Sequence, residues 1–250
     1  MRRISILNFK GGVGKSTLTM NLGDELARRD IKVLIIDCDL QSNASSLLGE
    51  IEPPTLTQVL TLEATLEQSV QKARENLYIV PADSHLNEAA SYITSKGRRA
   101  YYTLRDQISR LEGIVDLILF DHSPNYSTIT EAALLASNEM LVPCELSPFS
   151  VEGLLLMFTK LEEALVDHSL DLIGIVPFKL DRRISMHHDY LHDLNATFSG
   201  KIYPPVRTDQ NVSAAQSKHL PVHEYDPQTK ATEDFRAIAD QLVKERMPYE

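Results

Sequence analysis

Residues 8–17 read Asn8-Phe9-Lys10-Gly11-Gly12-Val13-Gly14-Lys15-Ser16-Thr17, and no other stretch constrains the chain as much. Three of the ten glycines fall inside it. The apolar run Ile4-Ser5-Ile6-Leu7 precedes it, and a helical pattern with Leu18, Leu22 and Leu26 four residues apart follows. Strand, glycine loop and helix in that order form a phosphate cradle. Glycines let successive backbone N–H groups turn inward on a polyanion. A helix starting near Ser16 adds its positive dipole end. Gly11, Gly12, Val13, Gly14, Ser16 and Thr17 are therefore candidate phosphate contacts. Lys15 can set an ammonium against the β- and γ-phosphates, and the Ser16 hydroxyl suits Mg²⁺.

One position departs from the pattern G-x-x-x-x-G-K-[ST]. Phe9 stands where the first glycine belongs, and a second lysine, Lys10, lies five residues before Lys15. Lys10 is either a solvated loop lysine or a second phosphate ligand. The box K-G-G-V-G-K-S resembles the deviant Walker A box of the ParA/MinD class of P-loop ATPases. That resemblance implies Mg-ATP as cofactor. It also implies a homodimer formed on ATP binding, in which Lys10 reaches the partner's nucleotide.

Apolar runs alternate with amphipathic helical stretches from end to end. Strands are expected at Ile4–Asn8, Lys32–Asp37, Leu77–Val80, Asp116–Asp121, Glu139–Pro143, Asp171–Val176 and Lys201–Val206. Helices are expected at Ser16–Asp30, within 55–75, over 84–112 with a break near Lys96-Gly97, and at Tyr126–Ser137, Val151–Val166, Met186–Phe198, 210–217 and 229–246. The run KVLIID has no alternation, as for a parallel strand covered on both faces. The expected fold is α/β: a doubly wound, mostly parallel sheet flanked by helices. The resemblance makes it a P-loop NTPase, and no linker or repeat divides residues 1–250.

Ligands in such sheets sit at the carboxyl ends of the strands. The second strand ends in Asp37-Cys38-Asp39, two carboxylates on opposite sides of an extended segment. Asp39, further out, is the candidate for holding the attacking water. Asp37 lies near the Mg²⁺ shell or stabilises the loop. Asp39-Leu40-Gln41-Ser42-Asn43 is similar to the D-P-Q-G-N part of the family's D-x-D-P-Q-G-N box, with Leu40 for Pro and Ser42 for Gly. The fourth strand ends in Asp121, the Walker B form, with Asp121 reaching Mg²⁺ directly or through water. The family pattern there is D-x-P-P; Ser123 departs from it and Pro124 agrees. His122 is a candidate general base or a switch-loop residue. His188 and His192 share a helix face without an obvious third metal ligand.

The resemblance runs on to about residue 245. Glu145 and Ser150-Val151-Glu152-Gly153-Leu154 resemble a family stretch. So does the region from Pro204-Pro205-Val206-Arg207-Thr208-Asp209-Gln210 to Glu224-Tyr225-Asp226-Pro227. By that resemblance Arg207 and Asp209 frame the adenine; on its own Arg207 also reads as a surface salt bridge.

Hydrophobic content of 43% and charged content of 24% are ordinary for a soluble globular protein. No run approaches the roughly 20 apolar residues of a membrane span. No signal peptide is expected, and Cys38 and Cys144 read as small buried residues, so a cytoplasmic setting is expected. The net charge of −10 argues against a broad DNA-binding field. A local patch is still open, and non-specific DNA binding draws on lysines and arginines. Candidates are Arg182, Arg183, Lys218 and Lys230, with Arg98-Arg99 and Arg105 as a second cluster; each also reads as a solvated charge. A partition ATPase of the resembled kind implies non-specific double-stranded DNA, a nucleoid location and a ParB-like centromere-binding or adaptor protein that stimulates hydrolysis. A MinD-like enzyme on a membrane or protein assembly is the alternative. Phe235, Ile238, Ala239 and Leu242 have the spacing of a core-packing helix, which disfavours a membrane partner. An iron–sulfur redox role is set aside, because neither cysteine matches a cluster position.

Overall fold

A computed structural model describes residues 1–246. Its centre is a sheet of eight strands: β1 (Arg2–Ile6), β2 (Val33–Cys38), β3 (Gln71–Arg74), β4 (Leu77–Val80), β5 (Leu117–His122), β6 (Glu139–Glu145), β7 (Asp171–Leu180) and β8 (Val206–Arg207). The order across the sheet is β3-β4-β2-β5-β1-β6-β7-β8. Every pairing is parallel except β3 with β4. Every residue of β2 and β5 is buried, as their unbroken apolar runs require for strands covered on both faces.

Helices cover the two faces. On one, α1 (Lys15–Ala27), α8 (Gln210–Gln216), α9 (Val222–Tyr225) and α10 (Lys230–Arg246) enclose a core with Ile4, Ile35, Leu119 and Val176. Leu18, Leu22 and Leu26 of α1 are fully buried there. The stripe Phe235, Ile238, Ala239 and Leu242 is buried in the same core, which is why α10 packs inward. On the other face lie α2 (Leu56–Leu60), α3 (Leu86–Lys96), α4 (Thr103–Ile108), α5 (Thr128–Ala136), α6 (Ser150–Ala164) and α7 (Ser185–Thr197). They bury Leu34, Ile36, Ile118 and Phe120 at one end of the sheet and Leu7, Val142 and Ile175 at the other.

The first strand lies two residues earlier than expected, because Asn8 has already left the ladder to donate from Nδ2 to Pro143 O at 2.8 Å. Residues 71–74, expected within a helix, form the antiparallel edge strand β3. The turn depends on Asn76, whose φ of 55° is left-handed. The last strand is only two residues long. Pro204 and Pro205 have no N–H to donate, and Ile202 makes a single bridge to Ile175. Residues 84–112 split where expected, at Gly97 with φ 76°, and 3₁₀ turns follow α3 and α4. Both cysteines are buried and free.

Candidate functional site

Because the strands run parallel, the loops after β1, β2 and β5 gather at one sheet edge, around a cleft of about 740 Å³. Gly11, Gly12, Gly14, Lys15, Ser16, Thr17 and Asp39 line it. Gly14 caps α1 at φ 101°, and a Cβ there would lie 2.5 Å from the Phe178 ring, so neither backbone nor space admits a side chain. Val13 is buried beneath the loop.

Lys15 is 7% exposed and donates from Nζ to Lys10 O at 3.3 Å. Burial lowers its pKa, while the Asp121 and Asp39 carboxylates raise it. Asp121 is fully buried and accepts from Thr19 Oγ1 at 3.2 Å, and the Ser16 hydroxyl beside it favours its charged form. Its second oxygen, Oδ2, is buried with no hydrogen-bond partner. Burial, and then the neighbouring Asp37, push its pKa well above the carboxylate range. An orphaned carboxylate oxygen beside the Ser16 hydroxyl at a helix N-terminus is a donor set that fits Mg²⁺.

Asp37 sits opposite Asp121 in the ladder, and burial raises its pKa to about 6. Oδ1 accepts from Asp39 N at 3.0 Å; Oδ2 accepts from Ser45 N at 2.8 Å and Ser45 Oγ at 2.7 Å. Of its two expected jobs, metal ligand or loop support, these hydrogen bonds serve the second. Asp39 is the carboxylate at the cleft, and its Oδ1 accepts from Gln41 N at 3.0 Å. Ser42, where the family pattern has glycine, takes the left-handed conformation at φ 51°, which costs a non-glycine residue roughly 1 kcal/mol.

Lys10 does not turn into its own cradle. Its Nζ lies 3.1 Å from Glu145 Oε2, and Lys179 donates to Glu145 Oε1 at 2.8 Å. The Lys179 hydrogen bond, then Lys10, hold the Glu145 pKa below the usual carboxylate range. Lys10, Phe149, Leu156 and Met157 line one hollow, and Phe149 and Leu156 are 72% and 58% exposed.

Comparison with known proteins follows the same lines. A family model described as an AAA domain matches residues 1–171. The chromosome partitioning protein ParA of Caulobacter vibrioides is 32% identical over 252 residues, covering 97% of this chain and 94% of the relative. This chain belongs to the ParA family. The apo structure of Cyanothece McdA matches with a TM-score of 0.85 at 25% identity, covering 97% of this chain and 99% of that one. The septum site-determining protein MinD of Pyrococcus horikoshii, solved with Mg-ADP, matches with a TM-score of 0.81 at 25% identity over 97% of this chain and 96% of that one. This ParA-family protein is an ATPase, and its cofactors are ATP and Mg²⁺.

Other expected residues of this ParA-family chain take structural roles. The Arg207 guanidinium pairs with Asp234 at 2.7 Å and Glu233 at 2.9 Å and donates to Lys230 O. The salt-bridge reading therefore holds for its charged end, although the residue lines the cleft. Asp209 also lines the cleft, but its carboxylate caps α8 at Asn211 N and accepts from Ala231 N. Both residues line the cleft, with their charged groups held by protein partners.

His122 is fully buried and bonds Ser5 Oγ through Nε2 at 2.9 Å. Burial, then the Lys15 charge, push its pKa down to about 3, so it is a neutral core histidine and neither base nor switch-loop residue. Among the described residues, no His/Cys/Asp/Glu group could hold a metal ion in the manner of a cluster site, so His188 and His192 remain surface histidines.

Of the DNA candidates, Arg183 is bound through two bonds to Asp181, and Lys218 lies 4.9 Å from the Tyr225 ring. Arg182 and Lys230 are exposed. The structure adds Phe178, Val212, Gln216 and His219 to the cleft lining. No composition or spacing signal marks these residues; they reach the cleft only because β7 and α8 are brought to it.

Proposed function

We propose that residues 1–250 act as one P-loop ATPase domain whose Mg-ATP-bound form is a face-to-face homodimer that binds double-stranded DNA without sequence preference. In this reading the protein positions plasmid or chromosomal DNA on the nucleoid, in the cytoplasm. A ParB-like centromere-binding or adaptor protein resets it by stimulating hydrolysis.

The backbone N–H groups of residues 11–17 and Lys15 bind the phosphates. Ser16 and Asp121 hold Mg²⁺, which supplies charge neutralisation at the transferred phosphoryl group. Asp39 orients the water that attacks it, and Lys10 enters the partner's site. Phosphoryl transfer runs on positioning and charge, so a lysine delivered only by dimerisation makes hydrolysis conditional on the dimer.

The observation that carries the reading is the placement of Lys10. It points away from its own cradle onto Glu145, at the edge of a face where Tyr126, Phe149, Leu155 and Leu156 are exposed. Such an apolar face beside a phosphate ligand suits a second copy. Size-exclusion chromatography of Asp39→Ala with ATP should give a dimer that Lys10→Ala abolishes; a monomer from Asp39→Ala under saturating ATP overturns the reading.

The DNA part rests on Arg182, Arg183, Lys218 and Lys230. It is tested by a duplex shift with ATP or ADP across a salt series, since phosphate contacts weaken steeply with salt. The membrane alternative has less support, because α10 buries Phe235, Ile238, Ala239 and Leu242 in the core. Among the described residues no helix is long and apolar enough to cross a membrane.

A further inference from the structure

The segment from Lys96 to Arg110 holds five basic residues, Lys96, Arg98, Arg99, Arg105 and Arg110, and one acidic residue, Asp106. It runs from the end of α3 through a 3₁₀ turn and α4 into the 3₁₀ turn that follows α4, which holds Arg110. None of these residues lines the nucleotide cleft. Two of the charges are satisfied locally: Arg98 pairs with Glu131, and Arg105 lies 3.5 Å from Asp106 and stacks on Tyr102 at 4.3 Å. The other three, Lys96, Arg99 and Arg110, are exposed and have no ion pair among the described residues. All three line a hollow of about 360 Å³, whose apolar wall is Leu62, Tyr92 and Ala100; Asp106 lines it too. Leu62 is 59% exposed and held at φ 66°, so an apolar side chain is presented on a strained turn.

We propose that this hollow is a docking site for an acidic protein segment carrying one bulky apolar side chain. The inference does not depend on the nucleotide cycle proposed above. Three cations without an ion pair, against the single carboxylate of Asp106, give the hollow a net positive lining on a chain of net charge −10, which selects a partner of opposite sign by local complementarity. Exposed ion pairs contribute little affinity by themselves, so specificity of sign comes from Lys96, Arg99 and Arg110 while Leu62 supplies the anchor contact. A concave site suits this occupant better than duplex DNA. A rigid duplex presents phosphates to convex ridges and leaves Leu62 without a partner. Stacking of single-stranded bases is also disfavoured, because Lys96 lies over the Tyr92 ring at 5.3 Å and Arg105 over Tyr102.

The test uses the full chain and a displayed library of random short peptides. Enriched peptides are synthesised with a fluorescent label and measured by anisotropy against wild type, Arg99→Glu/Arg110→Glu and Leu62→Asp. Circular dichroism melts confirm that both variants fold. Enriched sequences should combine aspartate or glutamate with a single phenylalanine, leucine or similar anchor. Their affinity should fall about tenfold or more in the double variant, fall also in Leu62→Asp, and weaken with salt. A selection that yields no acidic anchored peptide, or peptides indifferent to both variants, overturns the proposal. So does a double variant whose only defect is weaker duplex-DNA binding, which would make the cluster a nucleic-acid surface.

Discussion

Lys10 and Glu145 show how one contact can decide which state the protein rests in. The Lys10 side chain is 54% exposed, and Glu145 shares its carboxylate between Lys10 and Lys179. An ion pair so exposed contributes at most about 1 kcal/mol, so it positions Lys10 without stabilising the fold. Glu145→Gln keeps the size and removes the charge. If Lys10 must leave Glu145 to reach a partner's nucleotide, the ATP-bound dimer should form at several-fold lower protein concentration, with the melting temperature almost unmoved. Analytical ultracentrifugation with ATP reads this directly; an unchanged dimerisation constant makes the contact a bystander. At this scale the phosphate cradle was legible, because glycine and lysine in that spacing serve few other purposes. The partner of Lys10 was not, since Glu145 is 135 residues away and only the β1–β6 pairing brings the two together. His122 misled for a related reason. Its neighbour in sequence is a candidate metal ligand, but strand alternation turns it to the opposite face, into the core beside Ser5.

Among the elements, the buried parallel strands were readable because both faces must be apolar, which leaves a continuous run. The edge strands were less so: β3 reads Gln-Lys-Ala-Arg and was expected as helix, and β8, expected over Lys201–Val206, is two residues long behind two prolines. Only their neighbours make them strands. The same limit hid the function of α8. Its polar sequence gives no hint that Gln216 Nε2 donates to Thr17 Oγ1 at 2.7 Å, fastening α8 to the first turn of α1. One turn on, Asn21 Oδ1 accepts from Val222 N at 2.7 Å, so α8 and α9 are tied to the helix that starts the phosphate loop. Gln216→Ala removes a bond worth about 1 kcal/mol at the cleft mouth. ATP affinity measured by calorimetry should fall several-fold while the melting temperature without nucleotide changes little. Equal affinities in the two proteins would show that α8 is held by its apolar contacts alone.

For the molecule as a whole, α1 is the central element, sandwiched between the sheet and α10, and its burial has a consequence for stability. Asp24 is only 3% exposed, and its Oδ2 has no hydrogen-bond partner. Burial, and then the Glu224 charge, raise its pKa to about 7, against the partial relief of Arg28 and Arg74; Glu25 beside it adds to the rise. His223, which faces Glu25, is shifted the other way by burial and by Arg28 and Arg236. An aspartate in the unfolded chain titrates near 4. Between about pH 4 and pH 7 the folded protein therefore keeps a proton on Asp24 that the unfolded chain has released. Stability associated with this group is present below the lower value, declines through the window and levels above the upper one. The lowered His223 pKa works in the opposite sense, removing stability as pH falls below the ordinary histidine value. Asp24→Asn imitates the protonated carboxyl and is free of the first effect. Thermal or urea unfolding at pH 5 and pH 8 should show the variant more stable than wild type, with an advantage larger by about 2 kcal/mol at the higher pH. Parallel profiles would mean that Asp24 stays charged in the fold, its burial compensated by Arg28 and Arg74 after all.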